Sequence, residues 1–371
     1  MIGAGTQDIT RLTATSVYLL LAISCSILRQ NILKRQSHTM KRRNFLQKAG
    51  ITFGSAAMAP GLLATAAYTE SLPPASDVLN TWAKVRNDFI LDHKHLQMSQ
   101  MLLASHPTVV REAIARHRKG MDESPATYWE DHWIEYEERV IEAASKYTGA
   151  DPSELGLTDS TTQGVSLILN GFKLKPGEEV LSTTHDHYIT DMSIKYACQK
   201  KGASYRHIDE YKDPAAATVD EITGRIKKAI APKTRLLVVT WVHSCTGMKL
   251  PIRAIADVVA EENRRRSEKD RLYFMVDGVH GFGNQAERVV DLGCDFFAAG
   301  THKWIFGPRG TGIVYGKKDA WDMVDPTIPT FRMNPFLEWM DMPTEGEMTF
   351  TDKMCPGGFH AFEHRYALKE A

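Results

Sequence analysis

The sequence has few cysteines and no excess of charge of either sign, and both absences narrow the class of protein. Its five cysteines (positions 25, 198, 245, 294 and 355) show no CxxC spacing, which argues against a disulfide scaffold or a cysteine-ligated zinc site. The 45 basic and 45 acidic side chains balance, so nothing favours nucleic acid or an anionic membrane as a partner. With 371 residues, 43% of them hydrophobic, the chain can form a sizeable core.

The segment 40–66, MKRRNFLQKAGITFGSAAMAPGLLATA, has the composition of an export signal. It begins with Arg42 and Arg43, continues with a mildly apolar stretch and ends in small residues at Ala66. A basic start, a short apolar region and a small-x-small end are typical of secretory signals, and the arginine pair resembles a twin-arginine signal. This segment predicts an exported, periplasmic protein that engages the twin-arginine export machinery.

Two stretches flank this signal. Residues 12–28 carry no charge and are just long enough for a membrane anchor of ~17 residues. The interpretation that we prefer is that Met40 is the true start and 1–39 a non-native extension. Residues 67–77 are interpreted as a linker to the rest of the chain.

The remaining chain contains neither internal repeats nor low-complexity segments, and its pattern changes from helical to alternating. Apolar residues recur at helical spacing through 78–150, ending at Gly149. From 151 onward, short apolar runs alternate with helical stretches; the runs are EEVLSTT, RLLVVTWV, LYFMVDG, CDFFAAG and TGIVYG. Continuously hydrophobic strands between helices predict an α/β fold with a mostly parallel sheet covered by helices. Such sheets bind ligands at the carboxyl ends of their strands.

Polar clusters occur at these strand ends and helix starts. Thr161 and Thr162 precede an apolar helix, where free N–H groups suit a phosphate, although a plain helix cap has the same pattern. His185 and His187 follow EEVLSTT and suit contact with an aromatic ligand, acid–base chemistry or a solvated loop. A metal site is disfavoured because no third ligand follows at helical spacing.

A carboxylate and a lysine complete the pattern. Asp277 ends LYFMVDG and is followed by His280, although a lone Asp-Gly is also a common turn. His302 and Lys303 follow the buried run CDFFAAG directly. A lysine in that place loses hydration, and proteins use such uncharged amines chiefly as nucleophiles that form Schiff bases. Phosphate cradle, imidazole, carboxylate and strand-end lysine are the parts that pyridoxal 5′-phosphate requires.

The stretch DGVHGFG…DLGCDFFAAGTHKWIFGPRGTG resembles the lysine signature of the class V aminotransferases, which are fold-type-I enzymes dependent on pyridoxal 5′-phosphate. The resemblance covers roughly residues 78–371. It is strongest to the isopenicillin N epimerase-like branch, through HKWIFGPRGTG and PGGFHAFEHRYAL. It implies a large cofactor-binding domain over 151–330 and the start of a C-terminal small domain over 331–371.

The resemblance also implies residue roles. Lys303 matches the Schiff-base lysine, Asp277 the partner of the pyridine nitrogen, and His187 the residue stacked on the ring, with His185 as the fallback. The remaining matches are His280 and Ser244 near the phenolic oxygen, Thr161, Thr162 and His302 at the phosphate, and Gly358 in the loop CPGGF. In the family that loop reaches the phosphate of the neighbouring subunit, which implies a homodimer.

The final segment FHAFEHRYALKEA departs from the family pattern. Family members continue for many tens of residues, so the resemblance implies a chain truncated within the small domain. Phe359, Phe362, Tyr366 and Ala367 lie at the spacing of one helix face. We expect this face to be uncovered and the chain to be poorly stable.

The motifs predict an enzyme that attaches an amino acid to the cofactor and labilises its α-hydrogen, as a transaminase or an epimerase. The first alternative is a cysteine desulfurase or lyase of the same class. The second is a non-catalytic fragment that binds the cofactor without turnover.

Overall fold

The computed structural model describes residues 82–371. The predicted signal, anchor and linker within residues 1–77 lie outside the described residues. The described residues belong to one compact unit. In the described part of the chain, every helix is too short or too polar to cross a membrane.

A single seven-stranded sheet forms the centre of this unit. Its strands are β1 (Leu155–Thr158), β2 (Glu179–Thr183), β3 (Ser204–Ile208), β4 (Thr234–Thr240), β5 (Tyr273–Asp277), β6 (Phe296–Gly300) and β7 (Gly312–Gly316). Their order across the sheet is β1-β7-β6-β5-β4-β2-β3. Only β7 runs against its neighbours β1 and β6; all other pairs are parallel. The predicted α/β fold with a mostly parallel sheet is confirmed.

The continuous hydrophobicity of the strands follows from burial on both faces. In β4, Leu237 and Val239 belong to one hydrophobic core, whereas Leu236 and Val238 belong to the other. Successive side chains of a strand point to opposite faces, so a strand covered on both faces needs an apolar residue at every position. The pattern RLLVVTWV therefore predicts the strand correctly.

Helices cover both faces. They are α1 (Trp82–Asn87), α2 (Thr108–Glu123), α3 (Pro125–Thr148), α4 (Thr161–Gly171), α5 (Tyr188–Lys201), α6 (Val219–Ala229), α7 (Ile252–Asn263), α8 (Met333–Trp339), α9 (Phe350–Met354) and α10 (Phe362–Ala367). Gly149 ends α3 in the left-handed conformation, with φ of 77°, as its predicted stop position requires.

Two strands have no counterpart among the predicted apolar runs. The edge strand β3 has only partly buried or exposed residues, so its sequence SYRHI lacks the apolar signal. The strand β1 has four residues and is buried by pairing with β7, which lies far away in the sequence. Neither pairing is visible in a local pattern.

The expectation that the C-terminal helix face is uncovered is wrong. Phe362, Tyr366 and Ala367 are buried, and only Phe359 is exposed. The ring of Tyr366 packs against His117 of α2 and Tyr136 of α3, with ring centroids 5.6 and 5.1 Å apart. Helices from the beginning of the described chain cover the face that the sequence pattern assigned to a missing domain.

Candidate active site

Lys303 lies just past the end of β6 and points towards His280. Its Nζ is 3.4 Å from His280 Nε2. Burial lowers the pKa of Lys303, while the Asp277 carboxyl opposes this shift. The amine is therefore easier to deprotonate than an exposed lysine, as a nucleophile or base requires.

The indole of Trp304 decides which nitrogen of His280 carries the proton. Trp304 Nε1 donates a hydrogen bond to His280 Nδ1 over 3.1 Å. An indole N–H is only a donor, so Nδ1 has to accept and the proton of the neutral ring resides on Nε2. Burial and the neighbouring Lys303 lower the pKa of His280 to about 4. The neutral ring thus presents an N–H to Lys303, which favours an uncharged amine whose lone pair accepts from it.

Asp277 is a buried carboxylate at the end of β5, the strand beside β6. Its Oδ2 accepts from the Thr190 hydroxyl over 2.7 Å, and its Oδ1 accepts from the Val279 amide over 3.3 Å. Burial raises the pKa of Asp277. The two hydrogen-bond donors, His187 and Lys303 lower it, but their effects are smaller. A cationic ligand group placed here would reverse that shift and hold the carboxylate ionised.

The start of α4 lies against the end of β6. Thr161 Oγ1 accepts from the Gly300 amide over 2.7 Å. A Cβ at Gly300 would lie 2.9 Å from Thr161 Oγ1 and 3.0 Å from His302 Cε1, so a side chain here would push Thr161 or His302 aside. Thr162 follows in the first helical turn, where backbone N–H groups lack intrahelical partners. Burial is the main cause that lowers the pKa of the His302 ring, and the charges of Lys303 and Arg309 lower it further.

The loop between β2 and α5 sends its two histidines to different places. Asp186 anchors the loop, since its carboxylate accepts from the Thr183 and Thr240 amides over 2.9 and 2.8 Å. His187 is exposed, caps α5 through the Ile189 amide and acts electrostatically on Asp277. His185 instead bonds Glu210 over 2.9 Å and stacks on Tyr211. The structure thus places His185 beside Glu210 and Tyr211, whereas His187 acts on Asp277.

The last two predicted residues lie in loops. Ser244 is half-buried in the turn after β4. Gly358 has φ of 140° and lines a small cavity with Trp129 and Arg332. His360 of the same loop bonds Asp159, just before α4, over 3.0 Å. Within one chain, the loop CPGGF therefore lies close to the start of α4.

Sequence reasoning missed the residues that orient the site. Thr190 holds Asp277, Trp304 fixes the proton of His280, and Asp186 anchors the histidine loop. Thr190 comes one helical turn after His187, and this spacing is the one local signal that both side chains lie on the same face of α5. The other two act across the fold and have no signature of their own.

The family model described as aminotransferase class-V matches residues 132–339, more than half of the chain. The chain belongs to this family. The matched segment includes Lys303, Asp277 and the start of α4, so the class V assignment covers the elements that build the site. The fold is that of the fold-type-I enzymes, as the sequence predicted.

Curated relatives of this class V chain carry two different activities. It is 27% identical over 216 residues to an isopenicillin N epimerase of Streptomyces clavuligerus, covering 57% of this chain and 49% of the relative. It is 25% identical over 202 residues to a probable cysteine desulfurase of Halalkalibacterium halodurans, covering 52% and 46%. The chain spans about half the length of the curated relatives it matches.

Solved structures agree on the fold. The cystine C–S lyase C-DES, in complex with its reaction product cysteine persulfide, has a TM-score of 0.63 and 23% identity, covering 73% of this chain and 69% of that one. The cysteine desulfurase CsdA of Escherichia coli has a TM-score of 0.59 and 19% identity, covering 77% and 69%.

Proposed function

We propose that this chain is a pyridoxal 5′-phosphate-dependent enzyme that acts at the α-carbon of an amino acid, as a transaminase or an epimerase. The observation that carries this proposal is the placement of Lys303, His280 and Asp277 at the ends of adjacent strands. The amine has a pKa lowered by burial and faces a neutral imidazole, and the buried carboxylate lies on the neighbouring strand.

The residues present fit this cofactor. Burial raises the pKa of the Asp277 carboxyl, and a protonated ring nitrogen beside it would keep the carboxylate ionised. The approach of Thr161 and His302 around Gly300, at a helix start, provides a cradle suited to phosphate. The Nε2–H of His280 is available to donate to an oxygen beside Lys303.

When bound, the cofactor supplies an aldehyde that condenses with amines and a ring that withdraws electrons from the α-carbon of an attached amino acid. Lys303 would hold the cofactor between turnovers, and its Nζ would take the α-hydrogen as a general base. Asp277 would keep the ring nitrogen protonated. The exposed His187 would cover one face of the ring and exclude water.

The same proposal extends to assembly and location. The loop around Gly358 would reach the phosphate of a second subunit in a homodimer, as the resemblance implies. Export as a folded protein through the twin-arginine machinery would allow a cytoplasmic cofactor to be loaded before the protein reaches the periplasm. Both points rest on the sequence motifs.

Exchange of the α-hydrogen tests the proposed activity directly. The purified chain, loaded with pyridoxal 5′-phosphate, would be incubated in D2O with single amino acids and followed by proton NMR. Loss of the α-proton signal supports the proposal, and keto-acid formation or inversion at the α-carbon separates transaminase from epimerase. A chain that binds the cofactor and exchanges no amino acid would be the non-catalytic fragment.

A second candidate is a cysteine desulfurase or lyase, because several relatives carry that name. Such an enzyme breaks the carbon–sulfur bond of cysteine or cystine. Sulfide or persulfide release from these substrates, with no exchange in other amino acids, would favour it over the first candidate.

A further inference from the structure

Three potential metal ligands meet at the ends of neighbouring strands, apart from the groups around Lys303. His185 follows β2, Glu210 follows β3 and His243 follows β4. Because β2 lies between β3 and β4 and all three strands are parallel, their carboxyl ends open at the same edge of the sheet. The ligand atoms of these side chains all lie within 4.8 Å of one another.

The distances suit a common centre. Glu210 Oε1 is 2.9 Å from His185 Nδ1 and 3.4 Å from His243 Nε2. Ligands bound to tetrahedral zinc at ~2.0–2.1 Å lie about 3.3 Å apart, by simple geometry. The three side chains therefore need only small movements to surround one ion.

Two buried atoms of this cluster have no hydrogen-bond partner among the described residues. They are Glu210 Oε2 and His243 Nε2, in side chains that are 0% exposed. The ion pair with His185 uses only Oε1, so it leaves both atoms unsatisfied. Burying a polar atom without a partner is costly, and such exceptions call for an explanation.

Tyr211 orients the ring of His243 as an outer partner of a metal ligand would. The Tyr211 hydroxyl lies 3.0 Å from His243 Nδ1, and its own second neighbour is the Thr246 hydroxyl at 3.3 Å. When Nδ1 donates to the Tyr211 oxygen, Nε2 presents its lone pair to the Glu210 carboxylate. Two electron-rich atoms then face each other, an arrangement that a cation stabilises.

We propose that His185, Glu210 and His243 bind a divalent transition-metal ion, and that Zn²⁺ is the ion this donor set suits best. Two imidazoles and one carboxylate are an established zinc donor set with a fourth position left for water or a ligand. The His185 side chain is 29% exposed, so an ion could reach the cluster from solvent on that side. The cluster is a second site beside the one assigned to the cofactor.

Metal binding to the purified full chain tests the proposal. The tag-free, chelator-treated protein would be titrated with ZnCl₂ by calorimetry, and Co²⁺ would report ligand geometry through its visible absorption. We expect one zinc per chain and the intense Co²⁺ bands of a four-coordinate site. Glu210→Gln and His243→Gln should each weaken binding by about tenfold or more.

His207→Gln is the matched control, because His207 pairs with Asp191 over 2.7 Å outside the cluster. It should bind zinc as the parent does, and so should Lys303→Ala, which separates this site from the cofactor proposal. If the two buried variants fail to fold by circular dichroism, the partly exposed His185→Gln replaces them. Substoichiometric binding by the parent, or equal binding by all folded variants, would mean adventitious zinc only and would overturn the proposal.

Discussion

The two polar clusters at the carboxyl edge of the sheet satisfy their buried atoms in different ways. Around Lys303, protein groups fix the orientation of each partner: Trp304 bonds His280, and Thr190 bonds Asp277. Around Glu210, one carboxylate oxygen and one imidazole nitrogen lack partners among the described residues. In the first cluster each of these side chains is held by another protein group, whereas the second leaves two buried polar atoms without a protein partner in the described part of the chain.

The comparison teaches that burial alone does not identify a reactive group. Lys201 also has a pKa lowered by burial, yet its Nζ donates to the Asn170 carbonyl over 2.6 Å at the end of α4. Lys303 instead faces a ring N–H, which only the lone pair of an uncharged amine can accept. The difference between a structural and a nucleophilic lysine lies in what surrounds the amine.

Replacing the lysine should have the largest effect. We expect Lys303→Ala to abolish covalent attachment of pyridoxal 5′-phosphate and leave it weakly held, because Lys303 supplies the amine that follows β6 in the described part of the chain. Borohydride reduction of the loaded parent, followed by peptide mapping, should label Lys303 and spare Lys201. Labelling of any other lysine would refute the assignment of Lys303 as the nucleophile and, with it, the distinction between Lys303 and Lys201.

Replacing the carboxylate should slow turnover and preserve binding. Asp277→Asn should retain the cofactor through the cradle at Thr161, yet lose about 10²-fold or more in the rate of α-hydrogen exchange, since an amide cannot stabilise a protonated ring nitrogen. Thr190→Val removes one hydrogen bond to Asp277 and should cost roughly tenfold or less. An Asn variant with the parent rate would contradict the role of Asp277.

Removing the indole N–H should shift the pH at which Lys303 reacts. In Trp304→Phe the proton of His280 can move to Nδ1, so Nε2 accepts from the Lys303 ammonium and the pKa of Lys303 rises. Amine labelling of the cofactor-free protein across pH, read by mass spectrometry, should show a midpoint at higher pH than in the parent. Trp339→Phe alters an exposed indole and should leave the midpoint in place.

The smallest effect concerns stability in acid. The pKa of His280 is lowered from 6.5 to about 4, so between these values the unfolded chain binds more protons than the folded one. His280 therefore contributes stability above pH 6.5 that is lost as the pH falls towards 4. His280→Gln should flatten this part of the stability curve, measured by denaturant unfolding at each pH. His95→Gln, which changes an exposed histidine, should leave the curve as in the parent. If stability changes with pH equally in the parent and in His280→Gln, His280 is not buried in its neutral form.

The fold and the central site were accessible from the sequence because their signals are local. A strand buried on both faces reads as a continuous apolar run, as in β4 and β5, and the residue after such a run lies at a ligand-binding edge. Lys303 and Asp277 could be named on that basis. The strands β1 and β3 could not, because their pairing partners and not their own residues determine them.

The sequence by itself determined the α/β class, the polar strand ends and the family resemblance, since each is written in consecutive residues. Only the tertiary structure decided that Trp304 fixes the proton of His280, that α2 and α3 cover Tyr366, and that His185 meets Glu210 and His243. A metal site was disfavoured because no third ligand follows His187 at helical spacing, yet parallel strands bring ligands together from separate β–α units. Contacts of that kind depend on strand order, which no local pattern specifies.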